Sequence, residues 1–367
     1  MQLFHTLVAA FGMSTLALVV PANAEIRIGT GAPLSGQYAW GGEQYRIGVD
    51  FALRKINENG GVLGEQVRLV LGDDAADPDQ AVAVAKKFVS DDVVFVVGHW
   101  SSGASIPASK IYDEAGILMI SPSATNTKLT DEGGPGIFRI CGRDDRQGAV
   151  VGDYMAKHWP EKRISILHDG GAYGQGLAEE TKKRINELGL TEVMFEGFAT
   201  GEVNYSPLVD RIRAAETDIL FVGGYPAEAG LILREARDQG DDLQFVSGDS
   251  LSTADYWLIT GDAGEGTMFT FFPDPRYDPK NAALVEEFRN GGIEPDGYTL
   301  YAYAAVEVWA QAVEKAGTLK LDVVIASLRE NEFDTVLGTL RFDENGDITD
   351  PGFSWYTWKG GEYVPLQ

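Results

Sequence analysis

Short apolar runs of strand character alternate with longer stretches of helical period along almost the whole chain, and that alternation leaves few folds open. It begins at Ile26-Arg27-Ile28-Gly29, continues through Tyr45, Val49, Ala52 and Ile56 at helical spacing, and is stopped by Asn59-Gly60-Gly61. In the next unit a strand over 67–71 leads to Asp77-Pro78, an N-cap with proline at the first helical position, and to Ala81, Val84, Ala85 and Phe88 on one helix face. Val93-Val94-Phe95-Val96-Val97 is apolar on both faces, as a central parallel strand covered on both sides must be. A helix over about 102–115 and a strand over 117–120 complete the series.

The same order restarts after Gly142. Helices are predicted over 146–158, 174–188, 206–215 and 227–239, with strands over 164–167, 193–198, 219–222 and 244–246. The predicted fold class is α/β, with two doubly wound parallel sheets and right-handed crossovers. Helices over 279–289, 298–315 and 321–328 come late and are expected to return to the first lobe, and the tail alternates as strands over 338–342 and 353–358. Between those strands, Asp343-Glu344-Asn345-Gly346-Asp347 has its glycine too early for a calcium loop, so a turn on Asn345-Gly346 is expected. No Pro/Ser-rich linker separates the halves, so the chain must cross between them by short segments, as a hinge does.

The first 24 residues read as a secretory leader, with an apolar stretch from Leu7 to Val20, Pro21, and Ala22-Asn23-Ala24 before Glu25. The apolar run is shorter than the ~20 residues that span a bilayer. No Lys or Arg precedes it, which leaves open a start codon upstream. A periplasmic location follows as an expectation. No cysteine follows the cleavage signature, so no lipid anchor is expected, and the single Cys141 permits no internal disulfide and reads as a buried small hydrophobe. The 55 acidic against 30 basic side chains, a formal net charge of −25, disfavour nucleic acid and anionic lipid as partners.

In open parallel sheets, ligands bind beyond the carboxyl ends of the strands. At those positions the chain has His99, Trp100, Ser101 and Ser102, then Ser121, Ser123 and Thr125, then Tyr173, Tyr225, Asp249 and Ser250. Hydroxyls, one carboxylate and aromatic rings are what a zwitterion with an apolar side chain requires. Ser102 at a helix start suits an anion or serves as an ordinary cap, and Asp249 binds a cation or caps the turn over 252–256. Nucleophile-elbow, zinc-protease and P-loop motifs are absent, Gly29-Thr30-Gly31 lacks the third glycine of the dinucleotide fingerprint, and the histidines have no metal-ligand spacing. No cofactor, metal or enzymatic activity is expected. A serine hydrolase built on Ser102 with His99 is a remote alternative.

Ala32-Pro33-Leu34-Ser35-Gly36, Ile56-Asn57-Glu58-Asn59-Gly60-Gly61, Asp73-Asp74-Ala75-Ala76-Asp77-Pro78, Gly98-His99, the segment from Ile117 to Thr125, and His168-Asp169 through Tyr173-Gly174 together resemble the leucine/isoleucine/valine-binding proteins of branched-chain amino acid ABC importers. The resemblance implies a type I periplasmic binding fold with a three-strand hinge, crossing near 141–145, Pro273 and 347–352. Residues 25–143 and 274–350 would form lobe 1, and 144–273 and 351–367 lobe 2. It implies that a small neutral amino acid is held for the importer's membrane subunits; a sensing receptor of the same fold is the alternative. The ligand-binding set it implies is Trp100, Ser101, Ser102, Ser123, Ala124, Thr125, Tyr173, Tyr225, Asp249 and Tyr298. Ser102 and Thr125 would hold the carboxylate, while the Ser123 carbonyl, Thr125 hydroxyl and Asp249 would take the ammonium. Tyr173 and Tyr225 would close from the second lobe, with Trp100 and Tyr298 lining the side-chain pocket.

Four departures from that family stand out. Ala76 and Ser101 occupy the positions of a disulfide, Asp249 replaces a Glu, Trp100 replaces a smaller aliphatic residue, and Gly41, beside Trp40, replaces a pocket Tyr. A compact ligand such as alanine, valine or proline is therefore expected over leucine or phenylalanine, and the space left by the shorter acid would take either the displaced amine of γ-aminobutyrate or a bridging water. If the indole turns onto the cleft rim, an ordinary leucine pocket remains.

Overall fold

The computed structural model describes residues 25–366, and the predicted leader lies outside them. The first series folds as β1 (Ile26–Ala32), α1 (Ala39–Glu58), β2 (Val67–Asp73), α2 (Pro78–Ser90), β3 (Phe95–Gly98), α3 (Ser102–Ala115), β4 (Leu118–Ser121), the single turn α4 (Lys128–Asp131) and β5 (Ile137–Arg139). Its strands are all parallel, in the order β2-β1-β3-β4-β5. The second series runs α5 (Asp144–His158), β6 (Ile164–His168), α6 (Ala172–Glu187), β7 (Met194–Gly197), α7 (Ser206–Ala214), β8 (Ile219–Gly223), α8 (Pro226–Asp238), β9 (Gln244–Ser247), α9 (Ala254–Thr260) and β10 (Met268–Phe271). The remainder is α10 (Ala282–Asn290), α11 (Thr299–Ala316), α12 (Leu321–Glu330), β11 (Phe333–Thr335), β12 (Gly338–Leu340), β13 (Ser354–Lys359) and β14 (Glu362–Pro365). The second sheet has the order β14-β13-β10-β9-β8-β6-β7.

Its β6–β10 core is parallel, but β13 pairs antiparallel to β10 and β14 antiparallel to β13. The two expected tail strands therefore do not pair with each other. Residues 338–340 form a separate hairpin with β11, while Tyr356 and Trp358 are buried from β13 in the second sheet. Alternation alone predicts a strand without naming its partner.

Local chemistry sets the helix ends. Asp77 caps α2 by accepting the Gln80 N–H at 2.9 Å. At α3 the cap is Ser101, whose Oγ accepts the Ala104 N–H at 3.2 Å, so the expected capping role of Ser102 moves back one residue and leaves Ser102 in the first turn. Likewise Thr253, not Asp249, caps α9.

The late helices return to the first sheet as expected. The long α11 packs along α1 and against β3, with Trp309 stacked on Phe95 at 5.1 Å. A Cβ on Gly48 of α1 would lie 2.1 Å from the Thr299 carbonyl, so this close helix approach requires glycine. The acidic loop does make a turn, with Gly346 at φ +90° and the Asp343 carboxylate accepting the Asn345 and Asp347 N–H groups. Its last acid points inward: Asp347 accepts Arg139 Nε at 2.5 Å and Arg143 Nη1 at 2.8 Å. Fully buried Arg139 also donates to the Ala124 and Asn126 carbonyls at 2.8 and 2.9 Å, tying the loop after β4 to the segment that leads back to β13.

Glu307 on α11 is largely buried and accepts the Val336 N–H at 3.0 Å. Burial pushes its carboxyl up to about 7, because the charged form is desolvated. The folded value lies above the unfolded one, so this stabilisation is complete below the ordinary carboxylate range and is lost as pH rises through about 7. Glu307→Gln keeps an acceptor for Val336 and has no charge to desolvate. The variant is expected to match the parent in urea unfolding near pH 4 and to exceed it at pH 8 by ~1–2 kcal/mol. An equal difference at both pH values would contradict this account.

Candidate functional site

The carboxyl ends of both parallel sheets face a shared cavity. From the first series, Trp100, Ser101 and Ser102 arrive on the β3–α3 turn and Ser123 on the loop after β4. From the second, Tyr173 enters on the first turn of α6, Tyr225 on the β8–α8 turn, and Asp249 with Ser250 on the turn after β9. Tyr298 immediately precedes α11. Eight of the ten expected residues line the cavity, and Ser250 is the additional wall.

Two expected residues do not line it. The Ala124 side chain belongs to the core beneath α3, and its carbonyl is taken by Arg139. Thr125 is buried behind the loop; its carbonyl accepts the Asp144 N–H at 2.8 Å, while its hydroxyl has no partner. Ser123 lines the cavity, but its hydroxyl donates to the Trp100 carbonyl at 2.5 Å and accepts from Tyr45 at 2.7 Å. Ser102 Oγ accepts only the Asn126 N–H, at 3.2 Å, so its own proton is free to donate into the cavity.

Asp249 is almost fully buried. Its Oδ1 accepts from Tyr173 at 2.9 Å and its Oδ2 from Tyr298 at 2.6 Å. Burial raises its pKa, and these two hydroxyls only partly offset that. A buried anion held this way is short of positive charge, and an ammonium ion brought beside it would supply that charge.

The apolar wall is a cluster of rings around Trp100, only 3% exposed. Trp40 meets the indole edge-on at 5.0 Å, and Tyr225, Tyr38 and Tyr298 lie at 5.1, 5.9 and 6.3 Å. Beneath it lies Gly41, where a Cβ would fall 2.5 Å from Trp100 Cε2. The missing side chain at position 41 thus makes the space that the indole fills, and the indole lies in the wall of the cavity rather than on the rim.

The hydrolase alternative fails on geometry. His99 Nδ1 is 2.6 Å from the Asp74 carboxylate and Nε2 is 2.8 Å from the Tyr112 hydroxyl, so neither ring nitrogen is available to Ser102. Cys141 is buried as expected, and burial pushes its thiol well above the usual range. Among the described residues, no cluster of His, Cys, Asp and Glu is arranged to hold a metal ion, and no helix is long and apolar enough to cross a membrane.

Sequence reasoning missed Asp144, Gln147, Asn126 and Tyr38. Asn126 Nδ2 donates to the Ala172 carbonyl at 2.6 Å, joining the first series to the start of α6, and Tyr38 packs on Tyr225 at 4.7 Å from the opposite side. Asp144 and Gln147, three apart in the first turn of α5, are both buried. Their helical spacing in the segment joining the two series was the available signal.

Two open sheets joined through short crossings, with their strand ends enclosing a cavity of hydroxyls, rings and one acid, define a two-lobed protein that binds a small solute. The chain matches the family described as periplasmic binding protein over residues 25–362, and it belongs to that family. It is similar to Leu/Ile/Val-binding protein homolog 1 of Brucella suis, at 46% identity over 96% of this chain and 94% of that protein. It is also similar to homolog 2 of Brucella abortus, at 47% identity over 96% of each. Among solved structures, the leucine binding protein LivK of Thermotoga maritima superposes with a TM-score of 0.87 at 26% identity, covering 93% of this chain and 98% of that one. LivJ of Streptococcus pneumoniae, in complex with isoleucine, gives a TM-score of 0.83 at 26% identity, covering 94% and 100%.

Proposed function

We propose that the protein captures a free neutral amino acid in the periplasm and delivers it to the membrane subunits of an ABC importer. The observation that carries this reading is the pairing, within one cavity, of a buried carboxylate held by two tyrosine hydroxyls with a serine hydroxyl whose proton is uncommitted. The first suits an α-ammonium and the second an α-carboxylate. In this reading Ser102, with nearby amides, takes the carboxylate, and Asp249 and the Ser123 carbonyl take the ammonium; Thr125, which does not line the cavity, supports the loop behind them. Tyr173 and Tyr225 close over the ligand, and Trp100 and Tyr298 bound its side chain. The named relatives, which include leucine- and isoleucine-binding proteins, support the ligand class. Trp100 filling the space over Gly41 supports a compact member of it.

In this reading one lobe is 25–143 with 274–350, the other 144–273 with 351–367, and residues 1–24 are removed on export. Because Ser102 and Asp249 sit on different lobes, neither lobe alone completes the site, and ligand is expected to close them. Small-angle scattering should show a smaller radius of gyration on adding L-alanine or L-valine to ligand-free protein. An unchanged profile at saturation, with binding demonstrated independently, would count against the clamp.

A further inference from the structure

Tyr298, which gives its hydroxyl to Asp249, is itself held by a buried side chain outside the cavity. Gln44 of α1 accepts the Tyr298 N–H on its Oε1 at 3.1 Å and donates from its Nε2 to the Asp296 carboxylate at 3.0 Å. A carboxylate accepts and a backbone N–H donates, so these two partners allow the amide one orientation. Between them Gly297 sits at φ +50°, and a Cβ there would lie 2.6 and 2.7 Å from the two polar atoms of Gln44 and 2.8 Å from the Ser252 carbonyl. From β14 of the second sheet, the Tyr363 hydroxyl accepts the Gly297 N–H at 3.2 Å. Asp296-Gly297-Tyr298 is thus strapped between α1 and the second sheet, immediately before α11.

The charged groups around Asp296 are already paired with one another. Arg276 is committed to Asp274 at 2.6 Å and to Glu294 at 2.9 Å, and Arg289 to Glu294 at 2.7 Å. Glu362, Tyr277 and Tyr363 border the same opening, and burial pushes both tyrosines upward, so they stay neutral. On α1, Glu43 is taken by Arg46 at 2.6 Å. Burial pushes Asp296 up to about 6, with Arg276 opposing the rise. Among the described residues, the Gln44 amide is the one side-chain donor to this carboxylate.

We propose that Gln44 is a positioning residue for ligand capture: by tying the Tyr298 N–H to Asp296 it sets the backbone so that the Tyr298 hydroxyl stays on Asp249 Oδ2. This rests on the amino acid reading of the cavity. Gln44 is not a wall of that cavity, so it acts through Tyr298. The ring of Tyr298 meets Phe271 and Trp100 edge-on at 5.6 and 6.3 Å, contacts that tolerate sliding, whereas its 2.6 Å hydrogen bond does not. An O–H···O bond is confined to about 2.5–3.0 Å, so a backbone shift of about an ångström at Tyr298 breaks it. Asp249 is then oriented by Tyr173 alone.

The test is calorimetric titration of L-alanine, L-valine and L-leucine into the parent, Gln44→Met, Gln44→Glu, Tyr298→Phe and the Gln44→Met/Tyr298→Phe double variant, with melting curves to restrict the comparison to folded protein. Gln44→Met, which keeps the length and loses both hydrogen bonds, is expected to weaken binding at least tenfold in the parent and no more than threefold in the Tyr298→Phe background, where no hydroxyl is left to position. Gln44→Glu keeps the acceptor for Tyr298 but sets a second carboxyl against Asp296. At pH 5 the pair shares a proton and the strap is kept; at pH 8 both are charged and repel. Measured against the parent at the same pH, Gln44→Glu should bind within threefold at pH 5 and at least tenfold more weakly at pH 8, and this comparison decides if Gln44→Met does not fold. The positioning role is overturned if Gln44→Met binds like the parent, if it costs as much beside Tyr298→Phe as in the parent, or if the Gln44→Glu deficit is the same at both pH values. A parent that binds none of the three amino acids overturns the amino acid reading and this role with it; a parent that binds while the variants fail these expectations overturns the role alone.

Discussion

Asp249→Ala is expected to weaken amino acid binding by ~2–5 kcal/mol, the range found when one partner of a desolvated, hydrogen-bonded charge pair is removed. The carboxylate is almost fully buried and oriented by Tyr173 and Tyr298, so a ligand ammonium beside it has exchanged its water for this one anion. Truncation leaves that ammonium unpaired and frees two tyrosine hydroxyls, which are poorer acceptors. Asp249→Asn should retain the tyrosine contacts and still lose affinity, separating charge from packing. If folded Asp249→Ala binds as tightly as the parent, the ammonium site lies elsewhere.

Trp100→Leu is expected to move preference toward leucine by tenfold or more relative to alanine. The reasoning runs through Gly41: a Cβ there would fall 2.5 Å from the indole, far inside any normal contact, while Trp40, Tyr38 and Tyr225 hold the ring from other sides. The indole is fixed in the wall of the cavity, which it narrows. Each methylene accommodated gains ~0.8 kcal/mol, whereas one forced into filled space costs ~1–3 kcal/mol. Gly41→Ala, by pushing the ring into the cavity, should weaken all ligands by ~1–3 kcal/mol, the larger ones most. Combining Gly41→Ala with Trp100→Leu should recover much of that loss, since the clash partner is gone. A parent that binds leucine at least tenfold tighter than alanine and valine would sink the small-pocket account while leaving the clamp intact.

The strand-end rule is why so much of this site could be read from sequence. Once Val97, Leu167, Val222 and Val246 are recognised as ends of parallel strands, the residues that follow them must share one edge, and the hydroxyls, rings and acid found there form one cavity. Ser102 and Ser101 exchanged roles because either can cap a helix, and the choice depends on backbone angles that residue type does not encode. Thr125 was placed by the strand-end rule and given its role by resemblance, and its place behind the loop depends on Arg139 drawing in the Ala124 and Asn126 carbonyls, a contact fixed by Asp347 more than two hundred residues away. Asp144 was missed because an acid in a first helical turn usually faces solvent and complements the helix dipole. Its burial arises only when α6 and the loop after β4 meet over it. Gly41 was noted as a departure from the family pattern, but its pairing with Trp100 joins α1 to the turn after β3, which no local pattern reports.

The central claim is that one cavity recognises both charged groups of a free amino acid. It is tested most directly by calorimetric titration of the twenty amino acids and γ-aminobutyrate, together with the N-acetyl and carboxamide forms of the best binder. Saturable binding of one equivalent of a compact neutral amino acid is expected, with both blocked forms bound at least a hundredfold more weakly. Absence of binding by every amino acid, or a blocked form that binds as well as the free one, would contradict it.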